Sequence, residues 1–247
     1  IFTIVPLILP FYNNIYDMKN LLVLFILATS TIAFSQEQSF NAEQEMAFYG
    51  DVMVNATLPS NRLRAADKFL KYFQAHLDVK GTLDSLPFTR FISVLEPDDK
   101  KFKLISWHVQ ADNYEYDYYA FLLYPEGSYV RFDDNSLLND GMDYEHVSTS
   151  EWYGALYYKL MKSGDDYLVF GFNANSQFTN KKVVDVLNFK AENLHLGKPI
   201  FEDKTDLGNF KNRLILDYSS DATVNLNYNP GLEMIVHDHL MQRIGRI

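Results

Sequence analysis

The chain has 247 residues, of which 47% are apolar and 15% aromatic, enough for a sizeable core and too apolar for a disordered protein. A formal net charge of −10, with lysines scattered in ones and twos, leaves no basic stripe of the kind that nucleic acid or an anionic membrane surface requires. The absence of cysteine excludes disulfides, thiolate nucleophiles, Cys-ligated zinc, iron–sulfur clusters and a thioether-linked lipid anchor.

Met18-Lys19-Asn20, the apolar run Leu21–Leu27 and the small residues up to Ala33-Phe34-Ser35 have the order of a secretory signal peptide. Cleavage after Ser35 leaves Gln36 first, and the apolar run is short of the ~20 residues that span a bilayer. Residues 1–17 are expected to be translated upstream sequence and 18–35 the signal peptide. No stable membrane insertion is expected after cleavage.

Residues 36–80 are expected to form a helical hairpin. Asn41 is placed to cap the first helix, with Met46, Val52, Met53 and Ala56 near helical spacing until Pro59. Ser60 is expected to cap a second, whose apolar stripe is Leu63, Ala66, Leu70, Phe73 and Leu77, with Gly81 shortly after its end. From Phe88 the apolar period falls from 3.6 to two, so 81–247 is expected to be a β domain packed with the hairpin. Its strands are expected over 88–95, 102–109, 113–124 and 129–132, then as three segments between Trp152 and Phe189. The turn Ser163-Gly164-Asp165-Asp166 joins the first two of those segments, because its glycine takes the positive φ of a tight hairpin. A weakly structured connection leads to strands over 213–218, 223–228 and 234–239. The fold class is α+β: a helical hairpin followed by a mainly antiparallel sheet of about ten strands, as a meander, sandwich or open barrel.

Three groups carry candidate chemistry. His237 and His239 fall on one face of the last strand and, with a third ligand, suit zinc; His108, His146 and His195 are the available imidazoles. On the same strand Asp238 shares the face of Met234, Val236 and Leu240 and is expected as a buried carboxylate. The loop Asp133 to Glu145, with Asp140 near its centre, is rich in oxygen ligands for calcium, although its spacing is not that of an EF-hand. Tyr114, Tyr116 and Tyr118 line one strand face opposite Glu115 and Asp117, an aromatic platform beside carboxylates that suits a sugar and equally a cross-strand ladder. The uncharged loop Asn173–Asn180, with Asn173 and Asn175, is a further candidate for ligand contact. There is no G-x-S-x-G elbow, no phosphate-binding glycine loop, no H-E-x-x-H and no dinucleotide fingerprint.

The leader MKNLLVLFILATSTIAFSQ is similar to those of exported proteins of Bacteroidota. The run LYYKLMKSGDDYLVFGFNANSQFTNKKVVDVLNF, with the later DHL, resembles an uncharacterised secreted protein family of that group. The resemblance spans about the central and C-terminal two thirds of the chain; it implies a secreted or periplasmic location and brings no activity or ligand. The expected function is a non-enzymatic binding or envelope-associated module with a glycan or envelope protein as partner, and the alternative is a metal- or carboxylate-dependent hydrolase.

Overall fold

The computed structural model describes residues 43–83, 89–112, 114–136, 142–190, 193–203 and 206–240. Met46–Ile247 is one compact unit; of the other, Ile1–Glu45, only the first turn of a helix is described. The leader, Asn41 and Asp140 therefore lie outside the described residues.

Helix α1 covers residues 43–55 and α2 Pro59–Lys80. Proline opens α2 because its missing N–H is one that a first helical turn leaves unpaired anyway. Ser60 is thus inside the helix rather than its cap, a position held by Leu58 without a side-chain hydrogen bond. The buried face runs through Arg62, Ala65, Ala66, Phe69, Phe73 and Leu77. This is the expected stripe turned slightly, so that Leu63 and Leu70 are only half-buried and Phe69 takes the centre. Gly81, at φ 61, ends the helix by donating its N–H to Leu77 O. A Cβ there would come 2.9 Å from the Gly127 Cα, so two glycines let the helix end rest directly on a turn of the sheet.

Sheet 1 has the order β1-β2-β3-β4: Ser93–Leu95, Lys103–Gln110, Tyr116–Leu123 and Tyr129–Phe132, all antiparallel. Sheet 2 has the order β5-β9-β8-β7-β6: β5 is Val147–Ser148, β6 Leu156–Ser163, β7 Asp166–Asn173, β8 Thr179–Lys190 and β9 Asn193–Leu196. Its sixth strand, β12 (Leu214–Ser219), pairs with the first half of β8, whose second half pairs with β9. The short strands β10 (Phe201–Glu202) and β11 (Phe210–Lys211) pair with each other, as do β13 (Leu226–Asn229) and β14 (Met234–His237). Gly164 at φ 62 makes the expected two-residue turn between β6 and β7.

Period-two burial separates three apolar layers. Ile105, Trp107 and Val109 of β2 meet α1 and α2 through Met53, Phe69 and Phe73. On the opposite face Leu104, Tyr118 and Ala120 meet Tyr157, Val169, Val183 and Leu187 of sheet 2 and Trp152 from the segment before β6. The outer face of sheet 2 buries Phe170, Val184, Val186 and Leu216 against Val224 and Leu226 of the β13–β14 segment. The result is α+β, with helices, two sheets and a β-hairpin in successive layers and no closed barrel. Among the described residues no helix is long and apolar enough to cross a membrane.

Two expectations are corrected. The strand expected over 88–95 is a 3₁₀ turn at Thr89–Phe91 followed by β1 alone, with Phe88 outside the described residues. The connection after Phe189 holds β9, β10 and β11 rather than irregular chain.

The join between β9 and β12 along the edge of β8 is filled by a buried ion pair. Arg213 Nε donates to Asp185 Oδ2 at 3.1 Å, and both side chains are 0% exposed. Arg213 also donates to Met142 O and lies 5.4 Å over the Tyr153 ring. Asp185 accepts from Val186 N at 2.7 Å. Burial pushes the Asp185 carboxyl up, and Arg213 opposes that shift. Arg213→Met alone leaves a buried carboxylate without its cation and is expected to lower the unfolding free energy by about 3–5 kcal/mol. Asp185→Leu together with Arg213→Met should recover most of the loss in urea unfolding. A double variant no more stable than the single one would show that the pair itself, not the unpaired charge, carries the stability.

Candidate functional site

β4 pairs only with residues 120–123 of β3, so the first half of β3, from Tyr116 to Tyr119, has an open edge. The chain leaving β4 runs past that edge. Asp134 turns its carboxylate inward there and accepts the Tyr118 N–H at 2.7 Å and the Ser136 N–H at 2.8 Å, while its backbone bridges to Trp152. An edge N–H that would otherwise lack a partner is thereby satisfied by a side chain.

The space left between this segment and β3 is a cleft of about 600 Å³ lined by Tyr116, Asp117, Tyr118, Tyr119, Arg131 and the run Phe132–Ser136. Alternation along β3 places Tyr116 and Tyr118 towards sheet 2, and Asp117 and Tyr119 towards the helices. Tyr116 lies 5.0 Å from the His108 ring, and Tyr119 stacks on Trp107 at 5.1 Å and 6°. Both tyrosines are therefore held rigidly and half-buried, each with part of its surface on the cleft. Tyr118, only 4% exposed, is committed to structure: its hydroxyl accepts the Ala174 N–H at 2.7 Å.

Asp117 is the electrostatic centre. Burial raises its pKa first, and the neighbouring carboxylates of Asp134, Asp67 and Glu115 raise it further. Among the described residues its carboxylate accepts no hydrogen bond, so a half-buried acceptor faces the cleft with its hydrogen-bonding capacity open. His108, packed between Tyr116, Tyr118 and Phe172, is pushed down by burial and is a neutral neighbour rather than a cation.

The structure unites part of the expected platform and disperses the rest. Tyr116 and Tyr118 share a face as expected, whereas Tyr114 lies before β3 in a bend and is 53% exposed. Asn173 is buried and donates to Gly154 O at 2.7 Å, and Asn175 donates to Thr179 Oγ1 at 2.8 Å. The loop they belong to meets the platform through Ala174 and Tyr118, but the two asparagine amides are spent on the protein itself. His237 and His239 are exposed at the end of the outer hairpin, His237 Nδ1 lying 2.8 Å from Asp238 O. Asp238 is exposed rather than buried, and its carboxylate accepts the Asn225 N–H at 2.7 Å. β14 lies in a two-stranded outer hairpin, where Met234 is exposed as well, so period two there does not divide core from solvent. His146 and His195 stack on each other at 4.8 Å. Among the described residues no group of three or more His, Asp or Glu is placed to hold a metal ion. Among the described residues His237 and His239 thus lack a third ligand for zinc, and Asp140 of the calcium reading lies outside the described residues.

Asp117 also sets a pH dependence. Its folded pKa lies above the unfolded value, so the folded state binds the proton more tightly and stability falls as pH rises through the interval between the two. Asp117→Asn is therefore expected to raise the Tm at pH 7, and its advantage should shrink as the pH approaches ~4, where the unfolded carboxyl also protonates. A Tm difference independent of pH would remove the electrostatic account.

No protein-family model, curated protein or solved structure matches this chain.

Proposed function

We propose that the chain is an exported binding module, secreted or periplasmic, whose tyrosine-lined cleft takes a neutral or amino-bearing carbohydrate without turning it over. The observation that carries this reading is Asp117: a half-buried carboxylate, open to hydrogen-bond donors, between two half-buried tyrosines in a cleft of about 600 Å³. Sugar hydroxyls donate to carboxylates, and the apolar face of a pyranose ring packs on an aromatic ring. The acidic surroundings, with Asp133 and Asp134 on the opposite wall, add preference for an ammonium over an acidic sugar. Rigid walls reduce the entropy lost on binding.

One observation favours the hydrolytic alternative. A carboxyl with raised pKa close to a second carboxylate is the arrangement that general-acid chemistry on a glycosidic bond uses, and Asp117 beside Asp134 has those elements. The same experiment separates the two readings. Titration calorimetry with chito-, chitosan, cello- and malto-oligosaccharides is expected to give binding with Kd on the order of 10 μM to 1 mM for at least one series. Tyr116→Ala and Asp117→Asn should each weaken it about tenfold. Release of shorter oligosaccharides on long incubation, abolished by Asp117→Asn, would replace binding with hydrolysis. No heat with any series would overturn both.

Export has its own test. Expressed from Met18 in a Gram-negative host, the protein is expected in the periplasmic fraction or the medium with Gln36 as its first residue. A cytoplasmic product that keeps residues 18–35 would count against the leader.

A further inference from the structure

We propose that the other end of β3 holds a second, separate site, for a small amphipathic acid: a flat apolar body carrying a carboxylate or similar anionic head. The cleft borders β3 from Tyr116 to Tyr119 and Tyr124 stands just past the strand's end, so the two sites are separated by roughly 16 Å or more at the rise of an extended strand.

The site is a cavity of about 440 Å³ at the end of the sandwich, walled by the rings of Phe102, Tyr124, Tyr167 and Phe189, with Lys101, Lys162 and Asp165 completing its lining. Three of the rings form one tight cluster. Phe102 meets Tyr167 edge-to-face at 4.8 Å and Phe189 at 5.5 Å, and Tyr167 meets Phe189 edge-to-face at 5.8 Å. Phe102 and Tyr167 are buried in the core, while Phe189 and Tyr124 are half-buried and give the cavity its apolar surface. A cavity of this size, lined by aromatics with a few polar groups at one side, is the usual form of a small-molecule site.

The polar side selects the charge of the ligand. Asp99 is already engaged: its carboxylate accepts from Lys162 Nζ at 2.9 Å and from the Tyr167 hydroxyl at 2.8 Å. Lys162 holds that carboxyl below its usual range, and burial with Asp99 pushes the Tyr167 hydroxyl up to about 12. Among the described residues the Lys101 ammonium has neither an ion pair nor a hydrogen bond, and it stands beside the rings. A neighbouring cavity of about 250 Å³ shares Phe102 and Tyr124 and adds Lys100, Lys103 and Glu96 to the surroundings. Lys100 sits at φ 54, a left-handed conformation that costs a non-glycine residue about 1 kcal/mol or more, in the turn where its N–H bonds Pro97 O at 2.9 Å. Lys100 and Lys101 of the β1–β2 loop and Lys103 at the start of β2 thus stand within four residues beside an aromatic cavity, after the acidic residues Glu96, Asp98 and Asp99 of the same loop. The ligand's flat body packs between Phe189, Phe102 and Tyr124, and its anion pairs with Lys101 and competes with Asp99 for Lys162.

The test uses the intact protein and three probes of one shape: 1-naphthoate, 1-naphthylmethanol and 1-naphthylmethylamine, titrated by calorimetry at low salt. Naphthoate is expected to bind at least about fivefold more tightly than the alcohol, with the amine weakest. Lys101→Glu, a change at an exposed side chain, should weaken naphthoate about tenfold and leave the alcohol unchanged. Asp99→Asn, which releases Lys162, should tighten naphthoate. Equal affinities for acid and alcohol, an unchanged naphthoate affinity in Lys101→Glu, or no binding of any probe would overturn the proposal. Oligosaccharide titrations of the same variants should match the unaltered protein, so failure here and failure of the carbohydrate reading are read separately.

Discussion

The Asp185–Arg213 pair solves a problem that the topology of sheet 2 creates. A long central strand, β8, is flanked on one edge by two different strands that follow it in the chain, β9 and β12. Between Val184, the last residue paired with β12, and Leu187, the first paired with β9, the edge needs other partners. Asp185 faces the sandwich interior there, and Arg213 lies at the cross-strand position that extends the β12 register by one residue. The guanidinium reaches Asp185 and the Met142 carbonyl, while Asn212 and Arg213 both donate backbone N–H groups to Asp143 O. Gly197 passes so close that a Cβ would lie 3.2 Å from the Arg213 Nη2. Two charges out of water are stable together because each is the other's counter-ion and both take further hydrogen bonds, Asp185 from the Val186 N–H and Arg213 to the Met142 carbonyl. Their geometry ties the turn before β5, the end of β9 and the start of β12 to one point.

Unequal strand lengths have the opposite consequence in sheet 1. β4 is too short to cover β3, and the exposed half of that strand is screened by a passing segment rather than paired. The screen leaves a cleft between the open edge of β3 and the segment that follows β4. At the other end of the sheet the β1–β2 loop stands over aromatic rings that close the sandwich only partly. Both cavities occur where regular hydrogen bonding stops on a rigid framework, the usual setting for ligand contact.

Much of the fold was legible in periodicity. The spacing of Ala66, Phe73 and Leu77 marked α2, the shift to period two from Phe88 marked the β region, and Gly164 marked the two-residue turn between β6 and β7. What misled were residues whose role depends on a neighbour in space. Ser60 has the chemistry of a cap, yet Pro59 is the better first residue, so the serine falls inside the helix. Asp238 follows the alternation of a buried strand, but the outer hairpin has solvent on its far side. Asp185 lay unremarked within VVDVLNF, because nothing local shows that an arginine 28 residues later will meet it. Tyr116 and Tyr118 were visible as a platform, whereas the carboxylates that give the cleft its character come from Asp134 and Asp67, in other segments.

The sequence by itself determined the class of the molecule: a helical hairpin and antiparallel strands, from the spacing of apolar residues, and no cysteine chemistry, from composition. These are properties of local backbone geometry and of which atoms exist. Tertiary structure alone decided which strand edges stay open, which carboxylates crowd Asp117, and where aromatic rings leave a cavity. Those features depend on segments distant in the chain arriving within a few ångströms of one another. Burial and charge repulsion act over that distance in space, and no spacing along the chain encodes it.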